Sequence, residues 1–210
     1  CKIYRLVYFC GMTKAERTRQ QILHATAPLF NQRGYDGATL QALCEATGLT
    51  KGALYGNFGN KEELAREAFR HAMGIVRTCM AEELRGKQSA KDKLVALVGF
   101  FAKYVYNPPV PGGCPLLNTS IEADDYLVDM KAEVAAAIDS TIAFMARLID
   151  EGKKAGEFLP GTRSREYATL FFCAVEGALM VSRVSPTDEA MKTVVRLCKR
   201  LLEDISIQKL

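Results

Sequence analysis

The sequence predicts an all-α protein, with a three-helix helix-turn-helix domain near its N-terminal end and a larger helical domain after it. Three observations predict this. No stretch alternates apolar and polar residues with the two-residue period of a strand, and apolar stripes at three-four spacing recur from Ile22 to Ile205. Residues 39–58, TLQALCEATGLTKGALYGNF, hold two short helical patterns, each opened by a threonine and separated by Gly48-Leu49.

Residues 1–11, CKIYRLVYFCG, are apolar but too short for a signal core with its flanks, and no small-residue cleavage site follows. Met12 is read as the natural start, and residues 1–11 as a leader that is not native or is disordered. An arm reaching DNA would be basic, where this stretch is aromatic and aliphatic. Thr13 with Glu16 forms a capping box for a helix from about Lys14 to Arg33, whose stripe is Ile22, Leu23, Ala27, Leu29 and Phe30. Arg17 and Arg19 near its start read as solvated charge, with phosphate contact as the alternative. Gly34-Tyr35-Asp36-Gly37 is a turn.

Thr39 precedes Leu40, Ala42, Leu43 and Ala46, so its hydroxyl can cap the first short helix, which Gly48 ends in a left-handed conformation. Thr50 caps the next, with Ala53 and Leu54 inward and Lys51, Gly52, Tyr55 and Asn57 outward. A short helix presented at such a corner fits the major groove, its N-terminal residues nearest the bases. Lys51 can donate to a guanine edge or a phosphate, and Gly52 allows close backbone approach. Thr50, Tyr55 and the open helix N-terminus offer donors of the kind that bind phosphate. An ordinary αα-corner in a helical core would carry the same two caps. Asn60, followed by Lys61-Glu62-Glu63, caps a helix running to about Arg85, and Lys61 sits beside the end of the second short helix. This sets the domain boundary at 12–60 and 61–210.

Beyond Arg85 the pattern stays helical. Lys91 to Tyr106 carries Leu94, Leu97, Val98, Phe101 and Val105, and the prolines and glycines of residues 107–113 end it. Cys114 to Ala123 is a short helix, and Asp125 to Ala155 a long one with Leu127, Met130, Val134, Ile138, Ile142, Met145 and Ile149 in a three-four pattern. Arg163 to Arg183 contains LFFCAVEGALMV, and such a helix is expected to be buried nearly all round. Ser185-Pro186 breaks the chain before a last helix striped by Met191, Val194, Val195, Cys198, Leu201, Leu202 and Ile205.

Ile22, Leu29, Phe30, Gly34-Tyr35, Thr39-Leu40, the run from Gly48 to Tyr55, Phe58 and Lys61-Glu62-Glu63-Leu64 together resemble the DNA-binding domain of the TetR/AcrR family of transcriptional regulators. The chain departs from the family pattern at Gly56 and Asn57, where an aromatic residue and histidine are usual. The resemblance implies a ligand-responsive regulator, a repressor in the first instance, that binds double-stranded operator DNA. Thr39, Thr50, Tyr55 and Lys61 would meet phosphates, and Lys51, Gly52, Gln41 and Asn57 would read bases. It also implies a homodimer joined through the last two helices, in keeping with two apolar faces more extensive than one small helical domain needs. Two recognition helices roughly 34 Å apart call for a near-palindromic operator.

The family's C-terminal domain commonly encloses a small-molecule cavity. Phe101, Tyr104, Leu117, Phe144, Tyr167 and Phe171, with Asn118, Glu176 and Cys114, are the residues read for it, and Phe100, Leu148, Met180 and Glu122 extend the set. Large apolar groups with a few polar ones suit a small, mainly apolar or aromatic effector, although a phenylalanine at helical spacing is equally a core residue. Gly-Gly-Cys-Pro-Leu-Leu-Asn resembles a subgroup in which some members sense electrophiles or oxidants. Cys114 beside a helix N-terminus is accordingly a candidate sensor, or a buried structural thiol. An architectural DNA-binding protein without a ligand is the third reading.

Bulk properties bound these readings without making them. The 210 residues are 49% apolar and 25% charged with a formal charge of +4. Between residues 12 and 64 six cationic residues meet five carboxylates, so net charge does not argue for nucleic acid. Seven scattered cysteines and two histidines form no CxxC pair or cluster, which argues against zinc and a disulfide framework and suits a reducing cytoplasm. No metal or cofactor is expected, nor a membrane span. No phosphate loop, HExxH or nucleophile elbow is present to suggest an enzyme.

Overall fold

The computed structural model describes residues 12–125 and 128–208. The expected leader at 1–11 lies outside them. Among the described residues the secondary structure is nine helices: α1 (Lys14–Gly37), α2 (Leu40–Thr47), α3 (Lys51–Phe58), α4 (Lys61–Leu84), α5 (Ala90–Lys103), α6 (Pro115–Asp125), α7 (Val128–Lys154), α8 (Ser164–Val184) and α9 (Glu189–Asp204). The one β-type pairing among the described residues is an isolated bridge between Phe158 and Ser206. The chain is all-α, as its periodicity predicts.

The helix starts follow from local capping. Thr13 accepts from the Glu16 N–H at 3.2 Å while the Glu16 carboxylate accepts from the Thr13 N–H at 2.7 Å, the full capping box. These bonds hold the Glu16 carboxyl below its ordinary pKa. Thr39 accepts from Ala42, Thr50 from Ala53, and Asn60 from Glu63. Gly48 ends α2 at φ 68°. The regular part of α1 stops at Arg33, because Gly34 stands at φ 71° and ψ −179°, a conformation essentially reserved for glycine.

The described residues divide into two compact units, one of residues up to Cys79 with those between 108 and 134, and one of residues 80–107 with those from 135 onward. The first has a core of Ile22, Leu23, Ala27, Leu43, Leu54, Phe58, Leu64, Ala68 and Phe69. It includes α6 and the loop before it as well as the helix-turn-helix. That loop is pinned to α1: Asn31 Nδ2 donates to the carbonyls of Pro111 at 2.9 Å and Gly113 at 3.1 Å. Gly112, at φ 107°, passes so close that a Cβ there would lie 2.7 Å from the Asn31 carbonyl oxygen.

The second unit packs Leu94, Leu97, Phe101, Tyr104, Ile149, Phe171, Leu179 and Leu202 around α5, α8 and α9. Phe158 is fully buried against Gly152, where a Cβ would sit 2.3 Å from the ring. Two expectations for α8 need correction. It is not buried nearly all round: Leu170, Met180, Val181 and Val184 are exposed, Val184 to 84%. One helical stripe packs on the unit, and these residues lie off it. No run near membrane-spanning length is expected, yet Ser164–Val184 is long and apolar enough to span by length and composition, and 44% of its most apolar stretch is buried in the protein.

Candidate nucleic-acid interface

The corner between α2 and α3 is set by Gly48 and by the two threonine caps, so the N-terminal turn of α3 begins at the surface. Lys51 and Gly52 are exposed there, and nothing lies within 4 Å of a Cβ built on Gly52. Thr39, Gln41 and Thr50 are also exposed, while Tyr55, Asn57 and Lys61 are half-buried. The threonine oxygens are occupied as acceptors by their own helices, which leaves each hydroxyl hydrogen to donate outward. Lys51 Nζ lies 5.9 Å from the centroid of the Tyr55 ring.

Three of the eight residues are further engaged within the protein. Gln41 donates to Glu45 at 2.9 Å, one turn along α2. Asn57 Nδ2 donates back to the Ala53 carbonyl at 2.9 Å. Lys61 Nζ sits 4.4 Å over the Tyr35 ring, a cation–π contact. Burial, with the nearby Glu62 carboxylate as a lesser cause, raises the Tyr35 phenol above its ordinary pKa.

Arg19 departs from the expectation of a solvated charge or a phosphate contact. Its guanidinium is neither simply solvated nor turned out toward a phosphate. It lies 4.2 Å from the centroid of the buried Phe58 ring and donates to the backbone carbonyl of Asn57, at the last turn of α3. The one sequence clue is negative: α3 has no basic residue in its own last turn. Arg17 donates to the Met12 carbonyl at 2.9 Å.

The residues read for an effector cavity fall into two sets. Cys114, Leu117 and Asn118 belong to the first unit. Cys114 is buried immediately before α6, and Asn118 Nδ2 donates to the Asn31 carbonyl and side chain and to the Gly112 carbonyl, at 2.9–3.0 Å. Phe101, Tyr104, Phe144, Tyr167, Phe171 and Glu176 belong to the second. Phe101 and Tyr104 form an aromatic cluster with Phe100, with ring centroids 5.3–5.5 Å apart, and Tyr167 lies 6.1 Å from Phe171. Phe101, Tyr104, Phe171 and Glu176 are buried; Phe144 and Tyr167 are half-buried. Of the extended set, Phe100 and Leu148 are core residues and Met180 is 51% exposed.

None of the nine lines the small crevice of the first unit or the groove of the second. A crevice of about 30 Å³ in the first unit, bordered by Ala27, Phe30, Tyr35, Phe69 and Glu122, has room for a water molecule. A broad groove of about 740 Å³ in the second runs along α9 past Tyr106 and Lys199. Burial pushes the Cys198 thiol up to about 11. Among the described residues no cluster of histidine, cysteine or carboxylate side chains is arranged to hold a metal ion.

Residues 22–68 match the model of bacterial regulatory proteins of the tetR family, and residues 90–198 match the tetracyclin repressor-like C-terminal domain. The HTH-type transcriptional repressor AcnR of Corynebacterium efficiens is 41% identical over 78 residues, 35% of this chain and 42% of AcnR. The match therefore spans less than half of that relative. A TetR-family transcriptional regulator from Cytophaga hutchinsonii superimposes with a TM-score of 0.88 at 34% identity, over 95% of this chain and 100% of the other. The TetR-family regulator CifR, solved in complex with a 26 bp double-strand operator DNA, shares the fold at a TM-score of 0.76 and 24% identity, over 86% of this chain and 94% of that one.

Proposed function

The chain belongs to the tetR family of bacterial regulatory proteins, transcription regulators rather than enzymes, and on that premise we propose that it is a cytoplasmic, effector-controlled repressor that binds a near-palindromic operator as a homodimer. The observation that carries this reading is the exposed N-terminal turn of α3, where Lys51 and Gly52 stand clear of the protein behind the Thr50 cap. A helix N-terminus offered in this way meets major-groove bases, with phosphates on the flanking hydroxyls. Thr39, Thr50, Tyr55 and Lys61 hold phosphates. Lys51, Gly52, Gln41 and Asn57 face bases, and Gln41 and Asn57 exchange their present partners for DNA.

The exposed apolar side chains of α8, with Leu197 of α9, supply the dimer face. The aromatic residues of the second unit favour a small, mainly apolar or aromatic effector. It acts as a two-state switch: the effector prefers the conformation in which the recognition helices are misplaced, and the ratio of its two affinities limits the shift.

A redox reading through Cys114 is kept because of position. The thiol immediately precedes α6, whose Asn118 and Glu122 are bonded to α1, so a modified thiol would disturb that helix at its first turn. Cys114→Ser with unchanged release by a quinone would end that reading.

An anisotropy titration against the DNA just upstream of the gene, with and without apolar, acidic and electrophilic compounds, tests the main proposal. Tight, salt-sensitive binding to a palindrome, lost with one compound, is the expected result. No specific DNA found by a genome-wide selection would overturn it.

A further inference from the structure

The last carbonyls of an α-helix have no partner within it, and the C-terminus carries partial negative charge. In α3 two of these four carbonyls are answered locally: the Gly59 N–H donates to Tyr55 at 2.7 Å and the Asn60 N–H to Phe58 at 2.8 Å. The Asn57 carbonyl is different: its donor is Arg19, thirty-eight residues earlier on α1. The same guanidinium lies over Phe58, which is 1% exposed and is the last residue of α3. A lysine could not make both contacts, because the planar guanidinium stacks on the ring while its fork of N–H groups reaches the carbonyl.

Arg19 is itself held from the other side. Its second terminal nitrogen lies 4.0 Å from a Glu67 carboxylate oxygen on α4. Glu67 accepts from Arg70 at 2.9 Å, and Arg70 forks onto Glu133 of α7, which also faces Arg66 at 3.7 Å. A chain of alternating charges thus runs within the first unit from Glu133 through Arg70 and Glu67 to Arg19, and ends on the C-terminus of the helix that presents Lys51.

We propose that Arg19 is a positioning residue for DNA recognition: it touches no DNA, and it sets the angle at which α3 stands by gripping Asn57 and Phe58 from α1. This rests on the reading of α3 as the recognition helix. The alternative, Arg19 as a phosphate ligand, would leave α3 unaffected by its loss. A short helix of eight residues is marginal alone and takes its orientation from what it packs against.

Three measurements on the full chain decide the matter. With its operator and a length-matched non-operator duplex across a salt series, Arg19→Gln is expected to weaken operator binding about tenfold, leaving non-operator binding and the salt slope at wild-type values. A phosphate ligand would weaken both duplexes alike and lower the slope by about one. That result, or undiminished operator binding, overturns the proposal. Arg19→Lys is expected to restore little of the loss, and full restoration also overturns it.

Hydrogen exchange without DNA is the second readout. Arg19→Gln is expected to speed exchange of the α3 amides and leave those of α2 unchanged, and wild-type exchange in α3 overturns the assignment. Wild-type protein without a specific operator would defeat the functional reading instead, and the exchange experiment would still decide the role of Arg19. Phe58→Leu, which keeps an apolar plug and removes the ring, is the third. It is expected to reduce the effect of Arg19→Gln in a double-mutant cycle, the Asn57 carbonyl bond accounting for the remainder, and strict additivity counts against the proposal.

Discussion

Both carboxylate oxygens of Glu122 lie 2.9 Å from the backbone nitrogen of Tyr35, so one N–H donates to a forked acceptor eighty-seven residues away. The carboxylate occupies the space a side chain at Gly34 would need: a Cβ there would lie 2.1 Å from Oε1. Glycine at 34 thus serves two ends, the φ of 71° that stops α1 and the room that lets α6 bond to the turn before α2.

Gly34→Ala is therefore expected to destabilise the protein by about 3 kcal/mol, since backbone strain of about 1–3 kcal/mol is joined by eviction of the carboxylate. Urea melts measure it. Adding Glu122→Ala should remove the steric part only, so a double variant of wild-type stability contradicts this account.

Glu122→Gln keeps the shape but replaces a charged acceptor with an amide whose nitrogen would face the Tyr35 N–H. The expected loss is about 1.5–3 kcal/mol, the scale of a hydrogen bond to a charged group. The same melts, run at two protein concentrations, separate this from any change in assembly.

His71 on α4 is buried, with its ring 6.1 Å from that of His24 on α1. Burial, and next the neighbouring His24, lower its pKa from 6.5 to about 4. The unfolded chain takes up this proton near pH 6.5, whereas the folded protein does so only near pH 4. The contribution is thus fully present above pH 6.5 and is lost as pH falls toward 4, by up to about 3 kcal/mol. His71→Gln is expected to flatten the stability profile between those values, and an unchanged profile would assign the slope to other groups.

Lys51→Ala and Thr50→Ala should separate recognition from folding. Removing the exposed lysine is expected to cost about 1–3 kcal/mol of operator binding with no change in melting temperature. Removing the cap should cost about 1 kcal/mol of stability through α3. Affinity titrations paired with thermal melts read both effects, and a Lys51 variant with full affinity would remove that residue from the interface.

Met180→Glu with Val181→Glu places two charges on the exposed apolar side chains of α8, which are 51% and 42% exposed. Sedimentation should then show a monomer of unchanged helicity, because a charge buried without a partner is strongly unfavourable at a subunit interface. A variant that sediments like the wild type would remove this face from the proposed homodimer.

Whatever depends on neighbours within a turn or two is legible in the amino-acid order alone. Thr13, Thr39, Thr50 and Asn60 cap the helices that the pattern assigns to them, and Gly48 closes α2, because each cap joins residues three or four apart. The stripes Ile22–Leu23–Ala27 and Met191–Cys198–Leu202 are core for the same reason, since helical period alone puts them on one side. The partners of polar side chains follow from how the helices pack. Glu122 and Asn118, polar groups on an apolar stretch, suit an effector by composition, yet the fold bonds them to Tyr35 and Asn31. Arg19 reads as surface charge until α3 arrives beneath it, and Met180 reads as core until α8 turns that side outward. A hydrogen bond or stacking contact between residues far apart in the chain depends on where two helices come to rest, and periodicity, which reports only which side of a helix is apolar, carries no information about that meeting.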